Sequence, residues 1–600
     1  MARRFGRSFG VLILYFLFSG LYAQQPADGE NEYRLAEVNP KTLGADTLDS
    51  NAGRGVWVAY DPDLDNDGKP EILVTNYSKG GRVFVFEVIG DDVLEFVWAS
   101  KVLEEDGTGG GLTPRSITTG DFDNNGRQEI VFQIGFNPND STDAANRGIY
   151  FYEWTGNDND YGTEPALKLT FEEVDSNFAQ VSVGRTESGM RIEDIDDDGK
   201  NEFLFPPRAF NFNVAKLYIM EVESGTFENG NAVIENEFVY EEMVQPPFLQ
   251  GDGYVPVGTD IGDVDGDDLD EIIVAGWTNI STGAGIGFIQ IDGPDSYTPG
   301  SVVPIADFSA FIVKAKPMFT TVNGEPVIYL HGTDAGLGTS QMWIVEGIVA
   351  DSFVDESNIT ELFADVGFWS AWDLGDQDHP TTAAGDGLDL YLYGGGGTLL
   401  DIEYDGVGPV TDTDSYSVTQ VFDLVSFYDN VGGLFNDVFT FPGMDLDKDG
   451  LRDIATSYKG SSIDTLNGEE FIENTFNVFV FEWGDSTQAL DLITSVPELK
   501  PVTVITPDDY QLHQNYPNPF NPTTNISFDL PINKTVSLRI YNSLGQEVRT
   551  LIDNKAYPEG RHTVQWDATN NQGNRVSSGV YIYKLIFGNF AKSKTMTLVR

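Results

Sequence analysis

Short stretches of nine residues holding three or four carboxylates recur along this chain, and each runs directly into an apolar segment. The pattern is Asp-x-Asp-x-Asp/Asn-Gly-x-x-Glu/Asp. It is carried by Asp63, Asp65, Asp67 and Glu71, then by Asp121, Asp123, Asn125 and Glu129, then by Asp194, Asp196, Asp198 and Glu202. A fourth copy, Asp263, Asp265, Asp267 and Glu271, has Asp268 where the others have Gly, and a fifth is Asp445, Asp447, Asp449 and Asp453. A looser copy with an insertion runs from Asp373 through Asp376 and Asp378 to Asp386 and Asp389. Carboxylates crowded within a few Å repel one another, and a hard cation placed between them reverses the sign of that interaction. Calcium suits such a set because it takes flexible arrangements of carboxylate, amide and carbonyl oxygens. Asp, Asn and Gly also build tight turns without any ion. The same spacing in five copies favours the cation over the turn alone, and several structural calcium ions are expected.

An EF-hand loop also begins Asp-x-Asp-x-Asp-Gly, but it needs a Glu at its twelfth position between two helices. The twelfth residues here are Val74, Phe132, Phe205, Val274 and Thr456, inside apolar runs. That alternative fails.

The elements that must hold these loops follow from their spacing. The first Asp of each copy stands at 63, 121, 194, 263, 373 and 445. The long interval between 263 and 373 contains Val322-Asn323-Gly324-Glu325-Pro326 before Val327–Leu330, which reads as the same turn without its acidic residues, so seven units are expected. Each unit has a later strand of alternating bulky residues, such as Val83–Val88, Ile149–Trp154, Leu217–Val222 and Val478–Trp483. Period-two apolar patterning and Gly/Asn/Asp turns predict an all-β body, and units of this size are propeller blades. The repeat resembles the FG-GAP or VCBS-type repeat of integrin α-subunit propellers and bacterial surface proteins, over about residues 50–490. The resemblance implies a seven-bladed β-propeller with side-chain ligands at loop positions 1, 3, 5 and 9. It also implies a backbone carbonyl ligand at position 7, which maps onto Lys69, Arg127, Lys200, Leu269 and Leu451.

The chain carries 95 acidic and 35 basic residues, a formal net charge of −60. Such a charge speaks against nucleic acid or an anionic membrane as partner, since phosphates need a basic face. The C-terminal 90 residues break the trend with 10 basic and 5 acidic side chains, which marks a separate module. After a Pro- and Thr-bearing linker at 497–509 comes Asn515-Tyr-Pro-Asn-Pro-Phe-Asn-Pro522, then short strands, then Ser578-Gly-Val-Tyr581. This pattern predicts a small immunoglobulin-like β-sandwich. It resembles the C-terminal sorting domain of the type IX secretion system and, more distantly, a flagellar-hook-capping (FlgD) immunoglobulin-like domain. The resemblance implies recognition by the secretion machinery, passage through the outer membrane, and a mature protein at the cell surface or in the medium. At the other end, Arg3, Arg4 and Arg7, an apolar run from Val11 to Phe18 and small residues to Ala23 read as a Sec signal peptide over 1–23. The expected organisation is therefore signal peptide 1–23, propeller 24–496, linker 497–509 and sorting domain 510–600, with no later membrane-spanning stretch.

Cysteine is absent, which excludes disulfides, thiolate metal sites and cysteine nucleophiles. The four histidines, His331, His379, His513 and His562, form no hydrolase motif, and no catalytic residue is assigned. The expected function is a non-catalytic calcium-binding propeller that presents loops to an extracellular glycan or protein. The alternatives are a polysaccharide lyase on a calcium-containing propeller, which can work with Arg, Lys and Tyr, and a structural surface-layer component. Trp369 and Trp372, close to the insertion at 373–389, are candidates either for a stacking platform or for blade core.

Overall fold

The computed structural model describes residues 32–38, 58–75, 83–90, 93–101, 114, 116–135, 146–174, 189–207, 217–240, 254–278, 284–300, 303–304, 311–313, 317–334, 340–348, 358–364, 372–375, 388–394, 398–404, 406, 408–423, 435–444, 453–460, 478–484, 500–505, 510–588 and 590–599. Seven antiparallel units follow one another. Blade 1 is Val58–Asp61, Glu71–Thr75, Val83–Gly90 and Val93–Ala99, and blade 2 is Ile117–Gly120, Glu129–Ile134, Gly148–Glu153 and Leu167–Leu169. Blade 3 is Arg191–Glu193, Glu202–Phe205, Leu217–Ser224 and Val233–Tyr240, and blade 4 is Tyr254–Gly262, Glu271–Thr278, Ala284–Gly293 and Ser296–Pro299. In blade 5, Phe311–Val313 and Met318–Val322 both pair with Glu325–Asp334, followed by Ser340–Glu346 and Ile359–Ala364. Blade 6 is Trp372–Gly375, Asp389–Gly394, Thr398–Tyr404 and Tyr416–Asp423.

Blade 7 takes Phe435–Met444, Asp453–Gly460 and Val478–Gly484 from late in the chain and its outermost strand, Glu32–Val38, from the start. The ring is thus closed by pairing the two ends of the body. First strands of blades 1 and 2, 2 and 3, 4 and 5, 6 and 7, and 7 and 1 lie side by side, so they form the inner wall. Gly262 sits on that wall, and a Cβ there would come within 2.1 Å of the Phe319 ring in blade 5. The apolar cores lie between consecutive blades. Phe122, Val131 and Phe151 of blade 2 pack with Phe203, Tyr218 and Phe227 of blade 3, and Ile273 and Ile286 of blade 4 pack with Ile328 and Trp343 of blade 5.

The segment expected to be a linker holds a strand instead. Lys500–Ile505 runs parallel to Glu32–Val38 through Ala36↔Lys500 to Val38↔Val502, and then parallel to the outer strand of blade 1 through Thr503↔Val93 to Ile505↔Glu95. Its β-branched run Val502, Thr503, Val504 and Ile505 suits a strand, and the Pro at 501 is tolerated at its start. This strap joins the outer edges of the last and first blades into one nine-stranded sheet.

The C-terminal module is a seven-stranded sandwich. Gln511–Leu512, Thr524–Leu530 and Gly560–Trp566 form one sheet, and Glu547–Tyr557, Lys534–Asn542, Gly579–Phe587 and Phe590–Leu598 form the other. Trp566, Ile526, Phe528, Leu538 and Tyr583 fill its core. The opening motif has a structural part in it. Phe520 enters the core, and the Asn515 amide donates to Pro517 O at 3.1 Å and to Thr524 Oγ1 at 2.9 Å. The module also touches blade 1, where Tyr510 Oη donates to Glu95 Oε1 at 2.6 Å and Lys534 Nζ to Glu95 Oε2 at 3.0 Å. No helix among the described residues is long and apolar enough to cross a membrane.

One buried titratable group makes a test of the core. His331, in the second main strand of blade 5, is fully enclosed, and burial pulls its pKa from 6.5 down to about 3. Below 6.5 the unfolded chain takes up a proton that the folded chain refuses, so stability falls as pH drops from 6.5 toward 3. The loss across that window is on the order of 4 kcal/mol. The thermal midpoint of His331→Gln should therefore gain on the parent as pH is lowered from about 7 to about 4. Midpoints that keep a constant separation would show that the imidazole charges freely in the fold.

Candidate metal centres

Every acidic stretch connects the first and second strands of a blade, at the same end of the ring. The pairs Asp61↔Glu71, Gly120↔Glu129, Glu193↔Glu202 and Gly262↔Glu271 close the first four loops, and Gly375↔Asp389 and Met444↔Asp453 are the equivalent pairs of blades 6 and 7. In blade 5 the pair Val322↔Glu325 encloses only Asn323 (φ 54°) and Gly324 (φ 84°), a two-residue hairpin turn with no acidic ligand.

The four described loops share one hydrogen-bond scheme. The first Asp accepts from the N–H at position 6: Gly68 to Asp63 at 2.9 Å, Gly126 to Asp121 at 2.7 Å, Gly199 to Asp194 at 3.1 Å and Asp268 to Asp263 at 3.1 Å. The fifth residue accepts from the N–H at position 7, with Lys69 to Asp67 at 2.8 Å, Arg127 to Asn125 at 2.8 Å, Lys200 to Asp198 at 2.7 Å and Leu269 to Asp267 at 2.8 Å. The ninth residue accepts from position 2, with Leu64 to Glu71 and Phe122 to Glu129 at 2.7 Å, Ile195 to Glu202 at 2.6 Å and Val264 to Glu271 at 2.9 Å. Positions 4 and 6 both have positive φ. Asn66, Asn124 and Asp197 stand at position 4 with Gly68, Gly126 and Gly199 at position 6, whereas the fourth loop exchanges the types, with Gly266 (φ 77°) and Asp268 (φ 70°). The departure at Asp268 therefore keeps the backbone course, since Asp tolerates the left-handed region better than most residues.

These loops leave oxygens without donors. Glu71, Glu129, Glu202 and Glu271 are at most 4 % exposed, and in each the second oxygen, Oε1, is buried with no hydrogen-bond partner. Asp65 Oδ1 is in the same condition. Carboxylate oxygens of Asp63, Asp65 and Asp67 lie within 4.8 Å of one another, as do those of Asp121, Asp123 and Glu129 and those of Asp194, Asp196 and Glu202. Burial, aided by the neighbouring carboxylates, pushes Glu71 up to about 9, Glu202 and Glu271 up to about 8, and Glu129 well above its ordinary value. A buried oxygen acceptor facing other carboxylates is costly unless a proton or a cation is shared among them. All-oxygen donors of this kind fit calcium, and the side chains at positions 1, 3, 5 and 9 are the ones that can hold it.

Third-strand residues stand beside each loop and escaped the motif. Glu87, Glu153 and Glu221 lie in register with Glu71, Glu129 and Glu202, and Gln290 with Glu271. Burial raises Glu87 to about 7, against the opposing pull of Lys69. Lys69 bridges Asp67 and Glu87, Lys200 reaches Glu221, and Arg127 Nη2 lies 3.2 Å from Glu228. Position 7, expected to matter through its carbonyl, thus also supplies counter-charge in three loops. The signal for the glutamates was present in sequence, because an acidic residue follows the apolar run in Val83–Glu87, Ile149–Glu153, Leu217–Glu221 and Val478–Glu482.

Asp445, Asp447, Asp449 and Leu451 lie outside the described residues, as do Asp376, Asp378, Asp386, Trp369 and residues 1–23. Asp453 is placed by its backbone opposite Glu482, and Trp372 opens the inner strand of blade 6 opposite Leu392. Three histidines are engaged elsewhere in the structure: His331 is buried, His513 Nε2 lies 2.8 Å from Asp529, and His562 Nε2 bonds Pro558 O.

No curated protein matches this chain. Among solved structures it is similar to PorZ, a surface component of the type IX secretion system of Porphyromonas gingivalis, at 12 % identity and a TM-score of 0.34. That similarity covers 90 % of this chain, which spans 60 % of the PorZ chain. It is also similar to the Dos1 propeller, at 9 % identity and a TM-score of 0.38, covering 75 % of this chain and 95 % of that one. A third likeness is to sucrose-6-phosphate hydrolase from Lactobacillus gasseri, at 10 % identity and a TM-score of 0.26, covering 80 % and 85 % of the two chains. Two family models match parts of the sequence: the chain carries an FG-GAP-like repeat at residues 63–132 and a FlgD Ig-like domain at residues 515–585.

Proposed function

We propose that this chain is an exported calcium-binding β-propeller that acts at the cell surface or in the medium as a non-catalytic binder of a glycan or protein, with the C-terminal module as its type IX sorting domain. The carrying observation is the fourfold recurrence of a buried, donor-less Oε1 on Glu71, Glu129, Glu202 and Glu271 beside the carboxylates of the same loop. The calcium ions are structural in this reading. The basic C-terminal module with its Asn515–Pro522 opening supports the export role, and the engaged histidines accord with a binder.

Calorimetric titration of the intact protein tests the metal assignment. Several calcium ions should be taken up per chain, and magnesium should replace them poorly because it demands a tighter octahedral shell. Asp121→Ala should abolish one site and leave the others, since each blade supplies its own loop. Absence of calcium uptake would overturn the assignment.

A further inference from the structure

The acidic loops reach beyond their own blade. Asp65 of blade 1 accepts at Oδ2 from the Asn159 N–H at 2.5 Å, in the turn between the third and fourth strands of blade 2. Asp123 of blade 2 accepts at Oδ2 from the Phe227 N–H at 2.6 Å, in the corresponding turn of blade 3. Asp196 of blade 3 accepts at Oδ2 from the Asp295 N–H at 2.6 Å, in the corresponding turn of blade 4. Three successive seams thus use the same atom of the same loop position and the same hairpin of the following blade. The other oxygen of each faces its own loop: Asp65 Oδ1 is buried without a donor, Asp123 Oδ1 accepts from the Asn125 N–H at 3.2 Å while its Oδ2 also takes the Asn125 Nδ2 at 3.1 Å, and Asp196 Oδ1 accepts from the Asp198 N–H at 3.3 Å.

We infer that the third-position aspartates Asp65, Asp123 and Asp196 are shared residues, with Oδ1 serving the cation of their own loop and Oδ2 holding the outer hairpin of the next blade, so that cation occupancy in one blade fixes the docking of its neighbour. The inference rests on the calcium reading above. A carboxylate drawn to a cation through one oxygen is held in position and remains charged, which keeps the second oxygen a strong acceptor for the neighbouring N–H. Without the cation, the same side chain is repelled by its loop partners and is free to turn away, which weakens the bond across the seam. The seam has a core to lose, because the Phe227 ring packs against Phe122 and Phe151 at centroid distances of 6.0 and 5.5 Å. Loops 2 and 3 also touch directly, with Asn201 N–H on Asn124 Oδ1 at 3.0 Å and Asn201 Nδ2 on Asp121 O at 2.6 Å.

Hydrogen–deuterium exchange on the full-length protein separates the possibilities. In calcium, residues 157–162, 225–231 and 293–297 should be protected, and chelation should speed their exchange about tenfold or more. Asp121→Ala removes a ligand whose side chain accepts only from Asn125 and Gly126 of its own loop among the described hydrogen bonds. In calcium it should release 225–231 of blade 3 while 157–162 of blade 2 stays protected. Loss of one calcium in Asp121→Ala with 225–231 still protected would overturn the coupling and leave the calcium reading standing. Absence of calcium uptake by the parent protein would overturn both.

Discussion

Chelating calcium from the full-length protein should lower its melting temperature by about 10 °C. A ligand present at a hundredfold over its dissociation constant stabilises the folded state by about 2.7 kcal/mol per site. Four such loops contribute roughly 11 kcal/mol, and the unfolding entropy of a ring of this size turns that into a shift near 10 °C. The sign follows from calcium binding the folded loops and not the unfolded chain, while the buried glutamates set how it depends on pH. In the cation-free fold Glu71, Glu202 and Glu271 titrate near 9, 8 and 8, so near neutral pH they resist the ionised state that calcium requires and rewards. Replacing one of them separates the two effects. Glu129→Gln keeps an acceptor for the Phe122 N–H and removes the charge, so it should melt close to the parent in chelator and below it in calcium. An unchanged melting temperature after chelation would mean that protons alone satisfy these oxygens.

The loops were legible in the sequence because the residues at positions 1, 3, 5 and 9 are local: they fall within nine residues at a repeating spacing, whereas the glutamates of the third strands lie outside that span. The ring count was legible for the same reason, down to blade 5, where Asn323-Gly324 retains the turn after the carboxylates have gone. Contacts made across the ring were not. Nothing in Glu32–Val38 marks it as the partner of Val478–Gly484, since a strand's sequence states which face is apolar and leaves open which distant edge it joins. The seam bonds of Asp65, Asp123 and Asp196 end on backbone N–H groups, which every residue but Pro has, so no side-chain pattern announces them. The strap at Lys500–Ile505 was hidden by composition. Its flanking Pro and Thr residues look like a spacer, while its pairing exists only because two blade edges stand on either side of it.

That strap leads to the second large effect, a contrast between two truncations. A chain ending at Ile505 keeps all pairing of the nine-stranded sheet, whereas a chain ending at Leu499 loses it at the closure between blades 7 and 1. In the shorter chain Glu32–Val38 is held by Val478–Gly484 alone, and the outer strand of blade 1 becomes an open edge, a state that natural sheets avoid. The shorter chain should therefore melt several degrees lower, self-associate more readily, and be cut by protease within its first strand. Ending at Ile505 also removes Tyr510 and Lys534 from Glu95, but it returns that carboxylate to water, so the cost is small. Lys534→Met in the full chain does the opposite, because Glu95 stays only 5 % exposed and loses its cation. Breaking a buried ion pair costs about 3 to 5 kcal/mol, with the Tyr510 hydrogen bond to Glu95 left in place here. The expected order of stability at the closure is thus the full chain and the chain ending at 505 together, with Lys534→Met and the chain ending at 499 below them. Equal melting of the two truncations would show that the ring closes through Glu32–Val38 alone and that the strap only tethers the module behind it.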